Sequence, residues 1–188
     1  IQDISPDPDR IPQQAATWND IPLYRHPIPT NGVTYFATSF RRPLPQSIPL
    51  PVIQFSGILT DLGAADRTYI EMGRLIRQFT GGISIGTNVS RSLDGRLWLN
   101  LQLTARCLTR NHRTMLSLAG DILSKPDLLT LDRIQELLNM QKAYAIPSAM
   151  FNGHRMAMLA SGRSLSLLRW IDHETNGMSG IQRLIHMQ

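Results

Sequence analysis

The chain has one cysteine, Cys107, in 188 residues, so no internal disulfide can form. A lone thiol fits a reducing compartment, read here as cytoplasmic with an organelle matrix as the alternative. Lysine is nearly absent: Lys125 and Lys142 are the only two, and arginine carries the net charge of +5. Those arginines are scattered, with no dense basic run and no aromatic residues interleaved. That excludes a stacking platform, and no nucleic-acid partner is expected. No apolar run is long enough to cross a bilayer, so no membrane partner is expected. The first ten residues, IQDISPDPDR, lack an initiator Met, a basic n-region and an apolar h-region. They are not a signal peptide, and they predict a fragment cut from a longer chain.

What is present reads as a globular domain: 42% hydrophobic and 18% charged. Pro6, Pro8 and Pro12 predict a linker over 1–16, and a single α+β domain is expected over 17–188, truncated at its C-terminal end. Residues 17–29 read as extended and able to lie along a sheet edge. Thr30-Asn31-Gly32 reads as a turn, and VTYFATSF (33–40) as a strand ended by Arg41-Arg42-Pro43. A helix is expected from about 51 to 61, with Gly63 as its stop. A second, ADRTYIEMGRLIRQFT, carries an apolar stripe of Tyr69, Met72, Ile76 and Phe79, with Arg67 and Glu71 as i,i+4 neighbours. Gly81-Gly82 stops it in a tight left-handed turn. A hairpin follows, with Asp94-Gly95 as a type I′ turn and Leu97, Leu99, Leu101 and Leu103 alternating toward a core. The rest is helical. One helix has Met115, Leu118, Ala119 and Ile122 on its inner face. One is capped by Thr130 and stops before Pro147, and a long one spans 148–171. HETNG breaks that one, and a short last helix follows. The fold class is therefore α+β, a mostly antiparallel sheet with helices on one face.

The chemistry is sparse. His26, His112, His154, His173 and His186 form no i,i+4 pair and adjoin no cysteine. His173-Glu174 reads as a helix-end turn, not a ligand pair. Cys107 and His112 lie five apart without an oxyanion donor or third member, so a buried structural thiol is favoured over a thiol hydrolase. The serines of SGRSLS (161–166) read as mid-helix, not as a nucleophile elbow. Gly81-Gly82 lacks the following G-K-[ST] of a phosphate loop. Met150, Met156 and Met158 read as core or interface filling. From the residues themselves no catalytic set emerges, and QFSGILTDLG (54–63) is a buried apolar helix without a His, Glu or Cys.

Three stretches together carry a resemblance. TNGVTYFATSF (30–40), LPVIQFSGILTDLGAADRTYIEMGRLIRQFTGGIS (50–84) and YAIPSAMFNGHRMAMLAS (144–161) are similar, in order and spacing, to the presequence protease and falcilysin branch of the insulinase (pitrilysin, inverzincin) zinc peptidases. The likeness falls on the start of that family's C-terminal, non-catalytic half. It implies a clamshell of repeated α+β domains around a peptide, with an H-x-x-E-H helix holding zinc in the first domain only. On this chain the motif's His, Glu and His fall on Gln54, Gly57 and Ile58, and its Gly on Gly63. The resemblance therefore implies no catalytic and no metal residue here, zinc only in the parent enzyme, and two partners: the parent's other domains and a peptide substrate. The fragment alone is expected to be inactive. One departure stands out, since the family chamber tends to be acidic whereas this segment is basic. The alternative is a stand-alone interaction module of the same fold.

Overall fold

A computed structural model describes residues 11–187. They divide into two compact units, with the boundary between Val33 and Thr34. In the first unit β1 (Gln14–Trp18) and β2 (Ile21–Arg25) form an antiparallel hairpin. Asn19 and Asp20 connect them, both at positive φ (47° and 63°), as a type I′ turn requires. Pro22 opposes Thr17, a position a two-stranded ladder tolerates because its outer side needs no donor. Of the linker expected over 1–16, residues 1–10 lie outside the described residues, and 14–16 belong to β1. The turn expected at 30–32 is closed by the Val33 N–H on the Thr30 carbonyl at 3.1 Å, with Asn31 and Gly32 at positive φ.

The second unit is built on a three-stranded sheet. β3 (Val33–Pro43), β4 (Ile83–Arg91) and β5 (Leu97–Leu108) lie in the order β3-β5-β4. β4 and β5 are antiparallel, from Ile83 opposite Ala105 to Arg91 opposite Leu97. Thr34 meets Thr109 at 3.1 Å between hydroxyls, and the Leu44 N–H reaches the Leu97 carbonyl at 3.0 Å. β3 is thus antiparallel to β5 as well, and it runs three residues past the expected stop at Phe40. The fold is α+β, as the sequence pattern predicts.

Period-two alternation sends Ile83, Ile85, Leu103, Ala105 and Cys107 to one face. There they pack against Met72 of α2 (Tyr69–Phe79) and Met115, Leu118, Ala119 and Ile122 of α3 (His112–Ser124). The other face is a polar ladder. Asn88 donates to Gln102 at 3.1 Å, and Asn100 donates to Asn88 and Ser90 at 2.9 and 3.0 Å. Arg41 stacks 4.9 Å from the Trp98 ring on that side.

The hairpin connection differs from the expected type I′ turn. Ser92 N–H bonds the Arg96 carbonyl and Gly95 N–H the Ser92 carbonyl, both at 2.9 Å, and only Gly95 has positive φ (86°). This is a three-residue loop with a left-handed glycine; Asp94 instead bonds the Arg96 N–H and the Ser92 hydroxyl. At Gly81-Gly82 only Gly82 has positive φ (124°), while Gly81 lies close under the Arg106 side chain.

The expected Arg67–Glu71 pair does not form. Thr68 and Glu71 make a capping box at the start of α2, and Arg67 pairs with Asp121 of α3 at 2.8 Å. A capping box satisfies two backbone donors, which outweighs an exposed i,i+4 ion pair. Thr130 occupies the cap position of α4 (Leu131–Phe151), but its hydroxyl bonds Asp127 instead of the helix. α4 also runs through Pro147 instead of stopping before it. Proline frees the carbonyl of Ala143, and at that exposed position water can take it. The helix expected over 148–171 is broken twice. Asn152 ends α4 with its side chain on the Ser148 carbonyl, and residues 163–166 separate α5 (Gly153–Gly162) from α6 (Leu167–Asn176). Ser166 caps α6. The break expected across HETNG falls only at Gly177, where a Cβ would lie 2.6 Å from the His173 carbonyl, and α7 (Met178–His186) follows.

Candidate functional site

The stretch without chemistry, QFSGILTDLG, is helical but not one helix. α1 (Leu50–Phe55) ends after Gln54-Phe55, and Ser56–Asp61 is a 3-10 segment. Gly57, Ile58 and Thr60 are weak α-formers, and the Thr60 hydroxyl donates to the Gly57 carbonyl at 3.0 Å. The tighter winding moves position 58 off the face it would share with position 54 in an α-helix. Gly63 is not the expected helix stop. Leu62 is the extended cap, and Gly63 is glycine because a Cβ would stand 2.5 Å from the Arg67 carbonyl.

Gln54 is the one polar side chain of this segment that reaches across the fold. Its Nε2 donates to the Gly180 carbonyl at 2.9 Å, and its Oε1 accepts from Arg183 at 3.4 Å. Arg183 also donates to the Glu174 carbonyl at 2.6 Å and pairs with its carboxylate at 2.9 Å. Gly180 permits this closeness, since a Cβ there would run into the Thr175 carbonyl. Beside it, buried His173 shares a hydrogen with the Ser179 hydroxyl at 3.1 Å, and its Nδ1 has no partner. α1, α6 and α7 are thus pinned at one half-buried polar node. Sequence reading missed it, and placed His173-Glu174 in a turn, whereas both sit in the last turns of α6. No local pattern links Gln54 to Gly180, 126 residues away.

Zinc does not fit this place. Gln54 offers an amide already engaged with α7, Gly57 offers nothing and Ile58 is apolar. Space is not the obstacle at position 57, where a Cβ would find only the Ile85 carbonyl at 3.6 Å. Among the described residues no group of three or more His, Cys, Asp or Glu side chains is arranged to hold a metal ion.

The other candidates are dispersed. Cys107 is in the core and burial pushes its thiol up, whereas His112 is exposed with its ring on the Thr109 carbonyl at 2.8 Å. They form no thiolate–imidazole pair. His26, His154 and His186 are exposed and separate. Ser161 bonds the Met158 carbonyl, while Ser164 and Ser166 lie in the break between helices, not mid-helix as expected. Met150 and Met158 are exposed. An open cleft of about 450 Å³ is bounded by Ala65–Thr68 and Lys125–Asp127. Of its charged residues, Arg67 is engaged by Asp121, and Asp127 by Thr130 and the Leu129 N–H.

Comparison with known proteins supplies what the site lacks. The family profile described as Peptidase M-16C associated matches residues 1–187. The mitochondrial presequence protease of Aspergillus fumigatus is 30% identical over 188 residues, covering 97% of this chain and 18% of that protein. The one from Danio rerio is 26% identical over 186 residues, again 97% of this chain and 18% of the relative. The mouse protein is 29% identical over 167 residues, 87% of this chain and 16% of its own length. The chain therefore spans less than a fifth of the curated relatives it matches.

Proposed function

Because this chain belongs to the Peptidase M-16C associated family, we propose that it is a non-catalytic domain of a zinc-dependent presequence-protease-like peptidase, in which the zinc-binding and water-activating residues stand on another domain. Gln54, Gly57 and Ile58 occupy the metal-motif positions in degenerate form. The observation that carries this reading is the polar node: the position that would hold a zinc-binding His holds a glutamine spent on bracing α1 against α7. The scaffold element stays because the core needs it, and the ligand is replaced by a strut. The domain's part in peptide hydrolysis is then mechanical. It forms a piece of the wall around a peptide and docks the catalytic half. The exposed Asn88–Gln102 pair of the polar ladder suits a wall that a solvated peptide passes without sticking. Relatives named as mitochondrial favour an organelle matrix over the cytoplasm for the longer polypeptide.

Elemental analysis of the purified 188-residue chain tests the reading, with a quenched-peptide assay alongside. The expected results are far less than one zinc per chain and no cleavage. One tightly held zinc per chain, or zinc-dependent hydrolysis by this chain alone, would overturn it. The triple substitution Gln54→His, Gly57→Glu, Ile58→His is expected to restore neither, because the 3-10 segment separates positions 54 and 58 and no distal ligand is supplied.

A further inference from the structure

α4 changes character along its exposed side. In its first half that side carries Asp132, Gln135, Glu136 and Asn139. In its second half it carries Met140, Ala143, Tyr144, Pro147, Met150 and Phe151. At 3.6 residues per turn these six fall within an arc of about 120°. The large ones are bare: Met140 is 48% exposed, Tyr144 74%, Met150 80% and Phe151 87%. Lys142, the one charged residue between Met140 and Phe151, turns away to the Met187 carbonyl near the end of α7. The opposite side of the helix, through Leu138, Ala145 and Ala149, is half-buried. An uncharged stripe of this width on a solvent face is the mark of an interface.

We propose that this stripe is a docking surface for an apolar face elsewhere in the same, longer polypeptide. The inference rests on the chain being one domain of a larger peptidase. Relatives leave more than four-fifths of their length outside the matched segment, so material to cover the stripe exists in cis. Size favours that occupant over a second copy. Twelve residues of helix span only about 18 Å, too little for the ~800 Å² per partner that stable separate complexes bury. A covalently linked partner works at an effective concentration near the millimolar range and holds on less area. The absence of charge also fits the core of an interface that stays closed, where charged side chains are depleted.

Hydroxyl-radical footprinting by mass spectrometry, on this chain and on a polypeptide of the relatives' length that contains it, tests the proposal. Met72 and Met115, both buried, are internal references for protection. Met150 and Phe151 are expected to be oxidised readily in the 188-residue chain and to fall toward the Met115 level in the long polypeptide. Ready oxidation in both overturns the proposal. Protection in the short chain that appears with concentration, together with dimers in sedimentation, overturns it in favour of a second copy. Phe151→Glu is expected to leave the thermal midpoint of the short chain unchanged and to lower that of the long polypeptide. If that long variant does not fold, the wild-type footprint still decides. Peptide hydrolysis by the unsubstituted long polypeptide is measured separately. Its absence would undo the peptidase reading while leaving the footprint interpretable.

Discussion

Gln54 shows how a single residue can join distant elements. Its amide is committed at both ends, donating to the Gly180 carbonyl and accepting from Arg183. Gln54→Ala removes the side-chain donor from the buried Gly180 carbonyl, which keeps its place in the α7 ladder, and is expected to cost about 0.5–1.5 kcal/mol, read from urea unfolding. Gln54→Glu is expected to keep the Arg183 contact and lose the bond to Gly180. The two variants together separate packing from hydrogen bonding at this point. Glycines carry similar information. Gly63 and Gly180 are glycine because a carbonyl lies where a Cβ would be, whereas Gly57 has room for a side chain. Nothing in the sequence distinguishes these three, because the obstructing carbonyls come from a turn or a helix end whose placement depends on the fold.

At the scale of elements, caps and turns prevail over charge pairing. Glu71 is held below the usual carboxylate range by the Thr68 N–H and hydroxyl, Asp94 by the Ser92 hydroxyl and Arg96 N–H, and Asp127 by the Thr130 hydroxyl and Leu129 N–H. A carboxyl whose folded pKa is depressed contributes stability above its unfolded pKa, and loses it as pH falls through the folded value. The unfolded values lie near 4. The urea midpoint is therefore expected to stay level from about pH 7 to pH 5 and to fall below about pH 4. Asp127→Asn is expected to flatten part of that acid limb. A midpoint independent of pH down to about pH 2 would contradict this assignment. Element types were legible wherever the pattern was local and repeated. The alternation of Leu97–Leu103 and the inner face Met115, Leu118, Ala119, Ile122 came out as read. Element ends were not, because whether a helix continues through Pro147 depends in part on how the carbonyl it frees is satisfied, and solvent access is a tertiary property. The same holds for the 3-10 stretch at 56–61, where weak α propensity meets packing against β4.

At the scale of the whole molecule, the sheet, α2 and α3 close over a core in which Met72 and Leu103 are completely buried. Leu103→Ala is expected to lower unfolding free energy by about 2–5 kcal/mol, the range for a buried leucine that leaves a cavity, measured by denaturant titration. A change below about 1 kcal/mol would mean that the core relaxes around the gap. By itself the sequence determined the class of fold, the inner faces of β5 and α3 and the likeness to a peptidase family. All of these depend on residue identity and short-range spacing. Tertiary structure alone decided that Gln54 is a strut, that His173-Glu174 lies in a helix beside Arg183, and that the α4 stripe faces solvent. Each of these depends on which distant segments share a place, and hydrophobic burial brings them together without leaving a local trace.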